Sequence, residues 1–481
     1  MTGQFVALRS TTGAALLSAT VLASAVAALG ATVIRVAIPA IETDLDASIA
    51  TLQWTVTGYL LTTAALLLLA GGLADRFGSK RILAIGLLVT LLASVLCTLA
   101  PTVEWLIAMR LFQGIGGALV TPTSLALLNR TLRVDDRARA LGLWVGIETL
   151  LTSLGPYVGG WLVDHASWRT IFLLNVPFII LALVALLRVP ESGEKNSSLS
   201  LDFTGALLTV VGLGGVIYAL TEGPTSGWSS PAVVLSAVIG LGALASLLYV
   251  ERRLADPMLR LSLFASRQFS AINLTTLLLY GALGAAGYLV VLQLQLVLGY
   301  SAAQAGAALI PTTVMLLVMA PISGALVART GPRWPMVAGI LALAVAFVWI
   351  SAAEPGTSYM QSILGPAVLW GMGIGVAVTP LTAAVLAAVS DADVGEASAI
   401  NDAAARVGSL VVIALVPVLI GAGAAANLAE AMQHGYQPAM LALAALTLLS
   451  AGVAGLFVSD QRATKVAAPV SDHGRPELTP T

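Results

Sequence analysis

Charge is scarce in this 481-residue chain, and thiol and imidazole chemistry is nearly absent. Asp, Glu, Lys and Arg make up 10% of it and hydrophobic residues 58%, whereas about one quarter of an ordinary soluble domain is charged. A water-soluble fold of this composition would leave large apolar patches in solvent. The alternative is a bundle of membrane helices, each needing about 20 apolar residues. One cysteine, Cys97, excludes an intramolecular disulfide. The three histidines, His165, His434 and His473, are too far apart to form a metal-binding spacing, so no metal is expected. A net charge of −1 offers no basic surface for nucleic acid. Without a nucleophile–base set or a phosphate loop, an enzyme is not expected, nor is any cofactor.

What is present is a succession of long apolar runs. Fourteen spans are read near residues 13–38, 50–72, 82–100, 104–128, 139–162, 168–188, 203–220, 231–250, 268–293, 303–327, 334–352, 360–389, 398–422 and 437–458. Arg9 followed by Ala14 to Gly30 has the outline of a secretory leader. The apolar run continues to Ala40 and further spans follow, so it is read as the first helix. The polar, proline-containing tail 461–481 is expected to be disordered. With the amino terminus inside, nineteen of the 23 basic residues fall in inner segments, and only Arg169 falls outside. Arg35, Arg110 and Arg406 lie within spans. That bias places both termini in the cytoplasm of a cell whose plasma (inner) membrane the chain crosses an even number of times.

One short loop organises the rest. Gly71 to Arg81 reads GGLADRFGSKR, four charges held between two membrane-length runs. It has a weaker echo at 323–333, SGALVARTGPR, where Ala328 replaces the acid. GALVTPTSLALL at 117–128 aligns without a gap on GVAVTPLTAAVL at 375–386. Two echoes in the same order point to a duplicated unit of six spans, with the two spans between Leu201 and Val250 as an insertion.

The charged loop resembles the G-x-L-A-D-R-x-G-R-K-R signature of the major facilitator superfamily, with Ser79 where Arg is usual. The resemblance extends over roughly residues 25–420 and is to the 14-span drug:proton antiporter branch (DHA2, EmrB/QacA-like). Arg110-Leu-Phe-Gln113-Gly114-Ile-Gly116 is similar to its R-x-x-Q-G-x-G motif, and Gly155-Pro156-Tyr157-Val158-Gly159-Gly160 to its antiporter motif G-P-x-x-G-G. Trp168-Arg169…Phe172…Asn175-Val176-Pro177, Leu201-Asp202-Phe203-Thr204-Gly205 and Gly299-Tyr300-Ser301…Ala305-Gly306…Pro311 also fit. The resemblance implies an all-α integral membrane protein of the major facilitator fold, with 14 transmembrane helices. The expected domains are an N-terminal six-helix bundle (1–190), an inserted hairpin (191–260), a C-terminal six-helix bundle (261–460) and the tail (461–481).

Each motif has a physical reading. Gly155, Gly159 and Gly160 clear one helix face for close packing, and Pro156 favours a kink. The expected role is an antiporter hinge, with tight packing alone as the alternative. Asp75, with Arg76, Gly78 and Arg81, is expected to form a conformational latch, the acid reaching the N-terminus of a helix beginning near Ala397. Ser301 and Gln304 form a capping box, a structural feature. Charged groups inside spans usually face a cavity or a partner, and the chain has five, Arg35, Arg110, Glu148, Asp402 and Arg406, all candidates for proton or substrate coupling. Asp402 and Arg406 stand four apart and can neutralise one another. Glu148 lies about 15 Å from the inner end of its span, and is either a proton or substrate site or a carboxylate permanently paired with Arg110 or Arg35.

The first span departs from the family pattern L-D-x-T-x-x-N-x-A-x-P. Gly30 replaces the acid that can pair with the helix-four arginine, and Arg35 stands where Asn is usual. Arg110 therefore loses a partner and gains a like-charged neighbour at similar depth. Coupling must then pass through Glu148 or Asp402, or be weak. The net-positive cavity favours neutral, zwitterionic or anionic amphiphiles over lipophilic dications. Candidate cavity residues are Gln113, Trp144, Tyr157, Tyr280 and Trp370, with Trp54 and Tyr59 as further aromatics.

The expected activity is proton-coupled efflux of small amphipathic compounds, such as drugs or antibiotics, by alternating access. A dedicated exporter of one endogenous, possibly anionic, metabolite is the alternative, and a non-transporting membrane sensor the different class. The expected partners are the small amphipathic substrate, protons and the lipid bilayer, with the protein acting as a monomer.

Overall fold

The computed structural model describes residues 5–190, 201–254, 257–390 and 393–460. The tail expected to be disordered lies outside this set, as does the segment 191–200 with Lys195.

Fourteen helical rods follow one another among the described residues. They are α1 (Thr11–Leu45), α2 (Ile49–Phe77), α3 (Ser79–Thr98), α4 (Val103–Thr131), α5 (Val134–His165), α6 (Trp168–Leu187) and α7 (Phe203–Ser226). After them come α8 (Pro231–Glu251), α9 (Arg267–Val297), α10 (Ala302–Thr330), α11 (Arg333–Ile350), α12 (Met360–Ala387), α13 (Val394–Ala414) and α14 (Leu428–Phe457). Thirteen are long and apolar enough to cross a membrane. The exception, α5, has the length, but Glu148 and the run Gly155 to Gly160 dilute its hydrophobicity.

Local chemistry sets the boundaries. Ser10, Ser48, Thr102 and Asn427 each accept a backbone N–H at a helix start, satisfying donors that have no intrahelical partner. Asp202 caps α7 through Gly205 N–H at 2.7 Å. Ser301 and Gln304 form the full reciprocal capping box at the head of α10. Between α2 and α3 the chain reverses on Gly78 alone, at φ +99°, a conformation that glycine adopts without steric cost. Gly331 repeats this between α10 and α11 at φ +81°. The two sequence echoes thus occupy equivalent places: the loops after the second helix of each half, and the fourth helices α4 and α12, with Pro122 and Pro380 inside them.

Packing divides the rods into two groups of six. In one, α4 touches α1, α2 and α3, and α1 also touches α5 and α6; in the other, α9 packs on α13 and α14, and α12 on α10 and α11. The inserted pair α7 and α8 pack on each other, and α7 wedges against α2 and α13, one helix from each half. Trp54 of α2 donates to Glu222 of α7 at 3.2 Å. The outward side chains are apolar, as on α8, where Leu235, Val238 and Leu241 are exposed.

The two ends of the bundle differ in charge. The first described residues and the last lie at the same end: Val6 bridges to Leu132 between α4 and α5, and Asp460 accepts from Arg333 N–H at the start of α11. This end carries the basic loops. The opposite end carries Glu42, Asp44, Asp46, Glu104, Asp164, Glu222, Glu354 and Glu430, with Arg169 bound to Asp44 at 2.5 Å.

Candidate functional site

The halves meet mainly toward the acidic end. The side chain of Gln53 on α2 donates to the Ile413 carbonyl of α13. Glu42 on α1 accepts from Leu428 N–H at the start of α14, at 3.3 Å. Asp164 on α5 accepts from Ala302 and Ala303 N–H at the start of α10, at 3.0 and 2.9 Å. Ser153 on α5 donates to Thr313 on α10 at 2.7 Å. At the basic end the ion pairs among the described residues stay on their own side. Asp75 pairs with Arg130, and Arg260 with Asp393 and Glu396. A cleft of about 570 Å³ lies between α2 and α4 on one wall and α13 and residues 257–260 on the other. The expected contact of Asp75 with the head of α13 is therefore not made here. That helix starts at Val394, and Asp75 and Glu396 line the same cleft. Arg76 stacks on Phe77, and Arg81 is exposed.

The glycines of α5 serve two contacts. A Cβ at Gly155 or Gly159 would collide with Leu29 or Val33 of α1, inside the same half. A Cβ at Gly160 would lie 2.3 Å from the Ala302 carbonyl of α10. Reciprocally, one at Gly306 of α10 would lie 2.2 Å from the Pro156 carbonyl. The two backbones thus touch without intervening side chains, and close the acidic end. Pro156 sits inside one continuous helix.

Beneath this closure lies a cavity of about 290 Å³, walled by α1, α5, α9, α10 and α12. Arg35 and Trp370 both face it. Of the aromatic candidates this places only Trp370 on the cavity. Trp144 packs into the core of the first half, Tyr157 is 42% exposed on the bundle surface, and Tyr280 neighbours Asp402. Tyr59 is buried, its hydroxyl donating to the Ala27 carbonyl at 2.6 Å.

Arg110 is not where the sequence pattern suggested. It is 1% exposed. Its Nε donates to the Thr55 carbonyl at 2.8 Å, Nη2 to the Gly30 carbonyl at 2.8 Å and Nη1 to Gln113 at 2.5 Å. The Tyr59 ring lies 4.6 Å from its guanidinium. Gln113 is fully enclosed and donates onward to Ser94. Arg110 and Gln113 reach only a void of about 10 Å³. Arg35 lines the larger cavity instead, so the two arginines do not share an environment. The acid missing at position 30 is replaced, as a partner for Arg110, by the carbonyl of the residue that took its place.

Glu148, near the middle of α5, is paired with neither arginine. The charges acting on it are those of Arg406 and Asp402 across the interface. Those two form the one-turn pair, at 3.1 Å, with the Asp402 side chain 46% exposed. Asp164, Glu42, Ser153 and Thr313 were not singled out from sequence. Among the described residues no cluster of His, Cys, Asp or Glu is arranged to hold a metal.

Comparison with known proteins agrees with this architecture. The chain is 34% identical over 462 residues to the methylenomycin A resistance protein of Bacillus subtilis, covering 95% of this chain and 96% of that protein. It is 32% identical to the multidrug resistance protein Stp of Mycobacterium tuberculosis, over 83% of this chain and 74% of that one. It is also 32% identical to the tetracenomycin C resistance and export protein of Streptomyces glaucescens, over 82% and 73%. Among solved structures, a D-xylose-proton symporter superposes with a TM-score of 0.66 at 16% identity, covering 93% of this chain and 98% of that one. The POT family transporter PepTSo gives 0.65 at 14%, covering 92% and 97%. Residues 20–413, and again 272–480, match the sequence pattern of the Major Facilitator Superfamily, and the chain is a multi-pass membrane protein belonging to that family.

Proposed function

We propose that this protein exports small amphipathic compounds, antibiotics among them, by alternating access coupled to proton entry. The observation that carries the mechanism is the asymmetry of the interface. Glycine-lined backbone contact closes the acidic end above a cavity, while at the basic end the ion pairs stay within each side of a cleft. The basic end is taken as cytoplasmic by its Lys and Arg bias, which makes this state inward-facing. Residues 1–190 and 261–460 are taken as the rocking halves and 191–260 as the inserted hairpin, the protein acting as a monomer. Relatives named for resistance and export support the substrate class. Glu148 is assigned the coupling proton, because its charged neighbours Asp402 and Arg406 belong to the other half and move relative to it when the halves rock.

Everted vesicles containing the protein test this reading with puromycin and a panel of anionic and cationic amphiphiles. Gradient-dependent uptake that a protonophore abolishes is expected, with substrate-induced proton release in wild type and none in Glu148→Gln. Uptake insensitive to the gradient, or proton release retained in Glu148→Gln, overturns the coupling assignment.

A further inference from the structure

We propose that Arg35 makes the 290 Å³ interface cavity an anion site, which receives the carboxylate of an amphiphilic substrate. The inference rests on the efflux reading and narrows its substrate class.

The cavity is at the lower edge of the roughly 300–1,000 Å³ typical of small-molecule sites. Its walls are mostly apolar, with Leu283, Val291 and Ile374 among them. The hydroxyls that line it are already engaged: Thr32 donates to the Ala28 carbonyl, Thr312 to the Ala367 carbonyl, and the single Ser153 proton is shared between the Thr149 carbonyl and the Thr313 hydroxyl. Two donors remain. Arg35 makes no hydrogen bond among the described residues, and its Nε is buried without a partner. Trp370 is 4% exposed, and its Nε1 is likewise buried without an acceptor. Both groups are donors only, so the wall needs acceptors from whatever enters. Among the described residues no carboxylate forms an ion pair with Arg35. Glu42 accepts Leu428 N–H through one oxygen and forms no ion pair with Arg35.

The site is also shaped for the guanidinium. Arg35 Nη1 lies 2.9 Å from where a Cβ of Gly287 would be, so any side chain at position 287 would displace it. An unpaired charge inside a membrane bundle is costly and usually serves a partner. A carboxylate supplies that partner with matched, bidentate geometry, whereas a lipophilic cation would meet an uncompensated positive charge. Arg35 is thus a specificity residue, with the apolar wall, Trp370 included, holding the rest of the molecule.

The test is equilibrium binding to the full chain in nanodiscs, with 1-naphthylacetate, its neutral amide and 1-naphthylmethylammonium as matched probes. Wild type is expected to bind the carboxylate at least about tenfold more tightly than either other probe, the scale of a charge-assisted hydrogen-bond pair. In R35Q the three affinities should converge to within about twofold. R35K, which keeps the charge but loses the planar fork, should bind the carboxylate several-fold more weakly with amide binding unchanged; it carries the test if R35Q does not purify as folded protein. No carboxylate preference in wild type, no carboxylate binding at all, or an unchanged preference in both variants overturns the inference. Binding is read without transport, so the two readings separate. Gradient-driven efflux without charge preference defeats this inference alone, and charge-selective binding without efflux defeats the efflux reading alone.

Discussion

Arg110 is buried and Arg35 half-buried on neighbouring helices of the same half, and their surroundings differ as a saturated charge differs from an unpaired one. Around Arg110 the helices α1, α2 and α4 supply two backbone carbonyls and a glutamine oxygen, and the Tyr59 ring covers the guanidinium. Nothing of that charge is left for a ligand. Around Arg35 the same kind of side chain meets a cavity wall, with no acceptor bonded to it. The first region lies within one half, so it need not change as the halves rock. The second lies between the halves, so the proposed alternating access would rebuild it in every cycle. Substitutions in the first region should therefore change stability, and those in the second should change specificity or conformational balance.

The sharpest test is the largest effect. Arg110→Leu leaves the Gln113 oxygen without its donor and removes the second hydrogen bond to the Gly30 and Thr55 carbonyls in a dry interior. Leaving a buried acceptor without its donor costs about 1–3 kcal/mol, so a lower yield and melting temperature in detergent are expected. Arg35→Leu removes a charge that has no protein acceptor, so its melting temperature should be unchanged or raised. A stable R110L protein, or an R35L protein that unfolds as readily as R110L, would erase the distinction.

A middle-sized effect is expected at the roof of the cavity. A methyl at Gly160 meets the backbone carbonyl of Ala302, which cannot rotate away, whereas one at Gly155 meets the flexible end of Leu29. Overpacking of this kind typically costs 1–3 kcal/mol, and for Gly160→Ala that cost falls only on the state with the acidic end closed. Maleimide labelling of Ala305→Cys from the acidic face, in a Cys97→Ser background, should rise by about tenfold in G160A and by much less in G155A. Equal labelling in the two would mean that α5 and α10 are not the closing contact.

How much of this was legible in the sequence follows the same division. The order and rough position of the helices, the duplicated halves, the Ser301–Gln304 box and the Asp402–Arg406 pair depend on residues close in sequence or on hydrophobic run length, and all appear in the structure, whereas helix limits moved where polar turns stay helical, as at 428–436, which α14 includes. The surroundings of Arg110 were not legible, because a backbone carbonyl leaves no trace in residue identity. Losing the acid at Gly30 looked like losing the partner, yet the main chain at that position still bonds the guanidinium. Trp144 and Tyr157 failed as cavity residues because an aromatic in a long apolar run does not reveal which face of its helix it occupies. Arg35 stood out as a charge inside a span where Asn is usual, but the cavity it faces is made by five helices and could not be read from one.

The smallest predicted effect concerns Asp164, whose signal was hidden by distance along the chain. Its carboxylate accepts two N–H groups of a segment 138 and 139 residues away. A carboxylate at such a helix start is worth about 0.3–1 kcal/mol through its interaction with the helix dipole. Asp164→Asn keeps one acceptor and the shape but loses the charge. That weakens the closed acidic end without touching Gly160, Arg35 or Arg110. Labelling of Ala305→Cys should therefore rise by about two- to fivefold, less than in G160A, with melting temperature unaffected. Carboxylate affinity measured with naphthylacetate should fall only in proportion to the shifted population, because the cavity residues are intact. A D164N protein that labels as strongly as G160A would move the main closing force from backbone packing to this one charge.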